Sequence, residues 1–196
     1  MAFEIVTAED VMAVGQGGEL RVKAGVMVTD WAREMAHSRG VKIIETDGAT
    51  RLSIALGCDH GGFPLKEALK ARLLETYVVR DVGCHGSDAV DYPDFAAAVG
   101  RMVATSQCDF GVMIDAAGIG SAIAANKIRG VRAAMCHDEG AAKNAREHND
   151  ANVMTLGARL VDGSKALALV QIFATTKCVE DRHKRRVAKI VALERG

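Results

Sequence analysis

DFGVMIDAAGIGSAIAANKI, residues 109–128, holds the fold in miniature. DFGVMID (109–115) is a short apolar run of the kind that makes a buried strand. GIGSAIAANKI (118–128) opens a helix from a glycine-rich turn. The same grammar recurs on both sides. Upstream, LSIALGC (52–58) reads as a first strand and PLKEALKARLLET (64–76) as a helix with Pro64 near its first turn. TYVVRDVG (76–83) is a second strand and YPDFAAAVGRMVATS (92–106) an Ala-rich helix. Downstream come the strand VRAAMC (131–136), the helix DEGAAKNAREH (138–148), the strand NVMTLG (152–157), the helix SKALALVQIFATT (164–176) and a charged last helix, VEDRHKRRVAKIVALE (179–194). Repeated strand–helix units imply right-handed crossovers and a parallel sheet covered on both faces. The expectation is an α/β, Rossmann-like, doubly wound sheet of five strands over residues 51–196, in the order 2-1-3-4-5. Ligands of such sheets bind beyond the C-terminal strand ends.

Residues 1–50 read as a separate extension. TAEDVMAV (7–14) is a short helix with Thr7 as cap and Glu9 and Asp10 in its first turn. GQGG (15–18) is a turn and ELRVKAGVMVT (19–29) is strand-like. Thr29 or Asp30 caps a helix through DWAREMAHSR, stopped at Gly40. VKIIE (41–45) is a strand and TDGAT (46–50) a linker. No internal repeat is evident. The extension carries no recognisable chemistry, and docking or oligomerisation is its expected role.

The bulk composition excludes several classes. The chain has 196 residues, 49% hydrophobic and 26% charged, which suits one soluble domain with an appendage. Lys+Arg and Asp+Glu number 25 each, so no long-range field draws in nucleic acid or an anionic membrane. Aromatics at 4% offer little base-stacking surface. The five cysteines (Cys58, Cys84, Cys108, Cys136 and Cys178) contain no CxxC pair and read as buried, reduced thiols of a cytoplasmic protein. No signal peptide and no membrane-spanning run is visible.

Four segments can carry chemistry, each with a plainer reading beside it. Asp59-His60, after the first strand and before two glycines, can hydrogen-bond a polyhydroxylated ligand or simply satisfy loop backbone. Asp115-Ala116-Ala117-Gly118-Ile119-Gly120-Ser121 can form a backbone anion hole, or need its glycines for geometry and its Asp115 as a cap. His148 can be a general acid or base, or only favour a helix C-terminus. Arg182 and Arg186 share a helix face and can fork onto a phosphate, or belong to a solvated basic face.

Taken together, GCDHGG, DYPDFA, GIGSAIAANKIRGVRAA, REHNDANVMTLGARL and DRHKRRV resemble, in order and spacing, ribose-5-phosphate isomerase B and the galactose-6-phosphate isomerase subunits. The resemblance implies an aldose–ketose isomerase of phosphorylated sugars, ribose 5-phosphate by default, that needs no metal or organic cofactor. It implies a homodimer or dimer of dimers with sites at the subunit interface. Asp59 and His60 match the substrate-contacting pair, His148 the ring-opening histidine, and Asn149 a substrate contact. Ala116, Gly118 and Gly120 match the enediolate hole. Arg159, Arg182 and Arg186 match phosphate ligands, the last two usually reaching a neighbouring subunit's site, with His183 in the same strip.

The turn departs from the family. Many members carry a cysteine base in CGTG, others a glutamate in GSGNGE. Here Asp115 stands at the cysteine position, Ala116 at the glycine after it, Ala117 at the threonine and Ser121 at the alternative glutamate. Asp115 has the reach to serve as base. An aspartate is the weaker base, with an unperturbed pKa of about 4 against about 8.5 for cysteine, so such a site must be dry to work. Two hypotheses follow: an active isomerase using Asp115, or a non-catalytic sugar-phosphate-binding or scaffold homologue, docked by its extension into a larger assembly such as a microcompartment.

Overall fold

The computed structural model describes residues 5–23, 26–46 and 51–195. Its chain divides into two units, Met1–Thr50 and Arg51–Gly196. In the first, β1 (Ile5–Val6), α1 (Ala8–Ala13) and β2 (Glu19–Lys23) are followed by β3 (Met27–Val28), α2 (Asp30–Arg39) and β4 (Lys42–Thr46). Thr7 precedes α1, and the Asp10 carboxylate accepts from its N–H at 2.7 Å and its hydroxyl at 2.9 Å. Thr29 precedes α2, and its hydroxyl accepts from the Ala32 N–H at 3.2 Å. β1 pairs in parallel with β3, Val6 opposite Val28, and β2 with β4, Leu20 opposite Ile43. Strand–Thr–helix–strand therefore occurs twice, and each small sheet takes one strand from either half. The repeat is one of topology, where the sequence shows none. The halves share little beyond Val-Thr at 6–7 and 28–29, and their helices have six and ten residues. The single strand expected over 19–29 is two, with residues 24–25 outside the described set, as are 47–50 of the expected linker. Val6, Val11, Val22, Val28, Ala32, Ala36 and Val41 make the unit's core.

In the second unit, β5 (Ser53–Cys58), α3 (Phe63–Leu73), β6 (Val78–Asp81), α4 (Tyr92–Ala104) and β7 (Phe110–Asp115) are followed by α5 (Ile119–Ala125), β8 (Ala133–Met135), α6 (Glu139–Asn149), β9 (Val153–Gly157), α7 (Gly163–Thr175) and α8 (Asp181–Ala192). All five strands are parallel. Ile54, Leu56, Val112, Ile114, Met154 and Leu156 point to one face and pack on α3, α6 and α7. Ala55, Met113 and Val153 point to the other and pack on α4 and α5. That second face is close: a Cβ on Gly111 would stand 2.5 Å from the Val99 side chain. The doubly wound five-stranded sheet is the one expected.

Its strand order differs in one place. The order is β6-β5-β7-β9-β8, or 2-1-3-5-4, rather than 2-1-3-4-5. All five residues of β9 are buried, so β9 lies inside the sheet. β8 has three half-buried residues and takes the edge. Asn126 closes that edge: its Nδ2 donates to the Ala133 carbonyl at 2.9 Å and its Oδ1 accepts from the Ala133 N–H at 2.8 Å. Among the described residues no helix is long and apolar enough to cross a membrane.

Candidate active site

The C-terminal ends of β5 and β7 carry the first half of the site. Asp59 follows β5 directly, is 6% exposed, and its Oδ1 accepts from the Gly62 N–H at 2.9 Å. Gly62 has no room for a side chain, because a Cβ there would lie 2.3 Å from the Ile114 carbonyl oxygen. His60 is exposed, and its Nδ1 lies 3.2 Å from both N and O of Val90, which ties it to the loop after β6. Cys58, one residue before Asp59, is fully buried with its Sγ 3.5 Å from that of Cys84. Burial, with the Cys84 thiol beside it, pushes Cys58 up to about 12, so it remains a neutral thiol. Cys84, Cys108 and Cys136 are also buried, whereas Cys178 is half-buried.

The turn after β7 is organised around Asp115. Its Oδ1 accepts from the Ala117 N–H at 2.8 Å and from the Gly118 N–H. Its Oδ2 accepts from the Ser121 N–H at 3.1 Å and the Ser121 hydroxyl at 2.5 Å. Gly118, at φ 80, gives the left-handed step that aims these amides inward. From behind, the buried Thr155 hydroxyl donates to the Gly118 carbonyl at 2.7 Å. The Arg159 N–H donates to the Ala116 carbonyl at 3.1 Å, which places Arg159, itself exposed, at this edge. The Tyr92 ring lies over Gly120.

The second half lies where α6 ends and α8 begins. His148 and His183 stack with ring centroids 4.1 Å apart and planes 9° apart. The Asn144 amide meets His148 Nδ1 at 3.1 Å. Arg146 fixes this helix end, donating to the Ala151 carbonyl at 2.6 Å and the Phe173 carbonyl at 3.1 Å. His183 is 3% exposed, yet neither ring nitrogen makes a hydrogen bond, Glu180 Oε2 being 3.5 Å from Nε2. Burial, and then the neighbouring His148 and Arg182, hold His183 below the ordinary imidazole value. Arg182 and Arg186 are exposed on α8, with Arg182 Nε 2.5 Å from Glu180. Asn149 is exposed and lines a cavity of about 440 Å³ with Asn126, Arg132, Ile190 and Leu193.

These halves do not meet within one chain. α6 returns from the C-terminal end of β8 to the N-terminal end of β9. Its 11 residues span roughly 16 Å, about the height of the sheet. Asp59, His60, Asp115–Ser121 and Arg159 thus stand at one edge, and His148, Asn149, Arg182, His183 and Arg186 at the other. Among the described residues no hydrogen bond, ion pair or ring contact joins the two sets. Thr155, Tyr92 and Asn126 were not among the expected site residues. Thr155 had a signal, a lone hydroxyl in the apolar NVMTLG, but Tyr92 and Asn126 act through contacts that only the fold creates. Among the described residues no group of three or more His, Cys, Asp or Glu is placed to hold a metal ion.

The doubly wound domain, the amide-rich turn after its third strand and the basic, histidine-bearing last helix can be compared with known sugar-phosphate isomerases. Residues 54–190 match the family model described as Ribose/Galactose Isomerase. Ribose-5-phosphate isomerase B of Escherichia coli is 41% identical over 142 residues, covering 72% of this chain and 95% of the relative. The solved structure of Clostridium thermocellum ribose-5-phosphate isomerase B superposes with a TM-score of 0.72 at 42% identity, covering 74% of this chain and 98% of that one. The Mycoplasma genitalium enzyme, solved with bound ribulose-5-phosphate, gives 0.69 at 36% identity over 73% and 96% of the two chains. The chain belongs to the ribose/galactose isomerase family, the group of ribose-5-phosphate isomerase B and its sugar-phosphate isomerase relatives.

Proposed function

We propose that two copies of the chain build each site between them, and that the site binds a phosphorylated sugar and interconverts its aldose and ketose forms through an enediolate. The carrying observation is His183, a buried imidazole whose two nitrogens make no hydrogen bond, with Nε2 3.5 Å from Glu180, beside Arg182 and Arg186 at the edge of the sheet away from the turn. Buried polar groups are left unpaired at a cost, and an incoming phosphate would satisfy His183 while the guanidinium groups fork onto it. The partner for this half is the Asp115 edge of a second copy. α5 supports that pairing. It starts at the turn, exposes Ile119 and Ile123 one helical turn apart, and is followed by Asn126 in the cavity that Asn149 lines. Two such helices packed antiparallel set the turn of one copy against His148 and Asn149 of the other.

In that site Asp59 and His60 hold sugar hydroxyls, and His148 passes the ring proton that opens the sugar. Asn149 orients the chain, and Arg159 joins the phosphate ligands. Asp115 carries the proton between adjacent carbons, and the amides around Ala116, Gly118 and Gly120 face the enediolate oxygen. Ribose 5-phosphate is the first sugar to test, and cytoplasmic metabolism the setting. The test is ribose 5-phosphate in heavy water followed by NMR: ribulose 5-phosphate appears, with deuterium on the carbon beside the carbonyl. Mixing Asp59→Asn and His148→Asn chains, each inactive alone, restores turnover only if the site is shared.

One observation favours a second reading, binding without turnover: every hydrogen-bond position on the Asp115 carboxylate is filled. Tight binding of ribose 5-phosphate with no deuterium uptake would select it. The 1–50 unit serves docking or oligomerisation, and the mass of the assembly lacking residues 1–48, by light scattering, tests this.

A further inference from the structure

We infer that the Asp115 carboxylate is the resident occupant of the amide cradle, and that a substrate must displace it before any proton moves; this rests on the sugar-phosphate reading above. A carboxylate offers about four lone-pair positions. Here all four are taken, two by the Ala117 and Gly118 amides and two by the Ser121 amide and hydroxyl. In that state Asp115 has no position left for a carbon-bound proton. One of the donors that would meet an enediolate oxygen, the Gly118 amide, is spent on the protein's own anion.

The turn has no way to yield by backing off. Thr155 holds the Gly118 carbonyl, and a Cβ on Gly157 would stand only 2.7 Å from the Ala117 carbonyl, so strand β9 lies directly behind it. With Asp115 5% exposed and Ser121 fully buried, little water competes for these groups. What can change is the side chain. As the carbonyl oxygen of an open-chain sugar takes the amides, the carboxylate swings off with bare lone pairs inside a closed site. Only then does it accept the proton from the carbon beside the carbonyl. The C–H electron pair becomes the enediolate double bond, and the charge settles on the oxygen in the cradle. The hydroxyl proton passes between the two oxygens, and Asp115 returns its proton to the adjacent carbon, so atoms and electrons balance. One displacement thus supplies the base and frees the Gly118 donor, and it makes ground-state binding compete with an internal ligand.

The test separates binding from proton transfer in Asp115→Ala and Asp115→Cys. Binding of ribose 5-phosphate is read by calorimetry, exchange by deuterium uptake, and folding by circular dichroism. Asp115→Ala is expected to bind at least tenfold tighter than wild type and to take up no deuterium. Asp115→Cys, whose thiol does not fill the cradle, is expected to bind tighter and to exchange. A merely structural role for Asp115 would weaken binding in both. Folded variants that bind no tighter than wild type overturn the inference and leave the sugar-phosphate reading standing. Binding by neither wild type nor variants removes that reading and the inference with it. If Asp115→Ala does not fold, Asp115→Cys decides alone.

Discussion

Lys66→Met tests the link between the buried framework and the Asp59-His60 edge. Lys66 is fully buried in α3. Its ammonium donates to Asp81 at 3.1 and 2.9 Å and to the Cys84 carbonyl at 2.8 Å, and it also lies 2.9 Å from Glu67. Burial alone would lower the Lys66 pKa, but the Asp81 and Glu67 hydrogen bonds outweigh it and raise the value above 10.5. Asp81 mirrors this: burial would raise it, yet Lys66 and Lys70 hold it below 3.8. The pair's stabilisation is therefore present between those two values. It is lost as pH falls through the folded value of Asp81 or rises through that of Lys66. Methionine keeps most of the stem and removes every donor. Breaking a fully buried pair costs about 3–5 kcal/mol. Here Lys70 still reaches Asp81 at 2.8 Å, and Asp81 keeps the Gly83 N–H at 3.0 Å, so the main loss falls on the Cys84 carbonyl, left with only the weak Cys58 thiol contact at 4.0 Å. A loss of about 2–4 kcal/mol follows, or roughly 5–15 °C in melting temperature. Lys70→Met, at a partly exposed site, should cost less than about 1 kcal/mol. Urea and thermal unfolding measure both at pH 7. Equal losses for the two variants would refute the claim that the buried ammonium organises this end of the sheet. The Cys84 loop also carries Val90, which holds His60, so Lys66→Met should weaken sugar-phosphate binding as well, measured by calorimetry on the folded fraction.

Three further outcomes are expected. Gly111→Ala drives a methyl to within 2.5 Å of Val99 and should cost about 1–3 kcal/mol in urea unfolding. His183 is held below its ordinary value of 6.5, so the unfolded chain binds its proton first. Stability should be full above about pH 6.5 and decline as pH falls beneath it, a slope that His183→Asn should flatten in melts from pH 7.5 to 5. Thr155→Val removes the hydroxyl that holds the Gly118 carbonyl, and should cost about 1–2 kcal/mol while slowing deuterium uptake into ribose 5-phosphate.

The sheet was legible because its three central strands are apolar on both faces and its helices start and stop on ordinary signals. Thr29 and Gly40 bound α2 as their chemistry predicts. The order of the last two strands was not legible. It depends on how much burial β8 and β9 reach after folding, and on an Asn126 side chain that acts as a strand edge. The repeat in the first unit was hidden because backbone pairing, rather than residue identity, relates its halves. The candidate site residues could be named from the motif, but their placement at two edges of one sheet could not. REHND reads as part of a helix whichever way that helix returns, and only the crossover from β8 to β9 carries it to the far side.

That separation also changes how the altered turn is to be understood. Read singly, Asp115, Ala116, Ala117 and Ser121 look like four losses from the family's turn. In the fold three of them, Asp115, Ala117 and Ser121, form one arrangement. Asp115 bonds Ser121 twice, and its other oxygen takes the amides of Ala117 and Gly118. Ala117 offers no hydroxyl to compete with the carboxylate for those amides. Drift after loss of activity would leave donors unpaired, and unpaired buried donors are costly. A turn in which the two exchanged polar residues satisfy each other is instead a self-consistent unit, and the helix proposed to bind phosphate keeps Arg182, His183 and Arg186. On the shared site proposed above, this complete hydrogen-bonded network is the internal ligand that a sugar phosphate must displace.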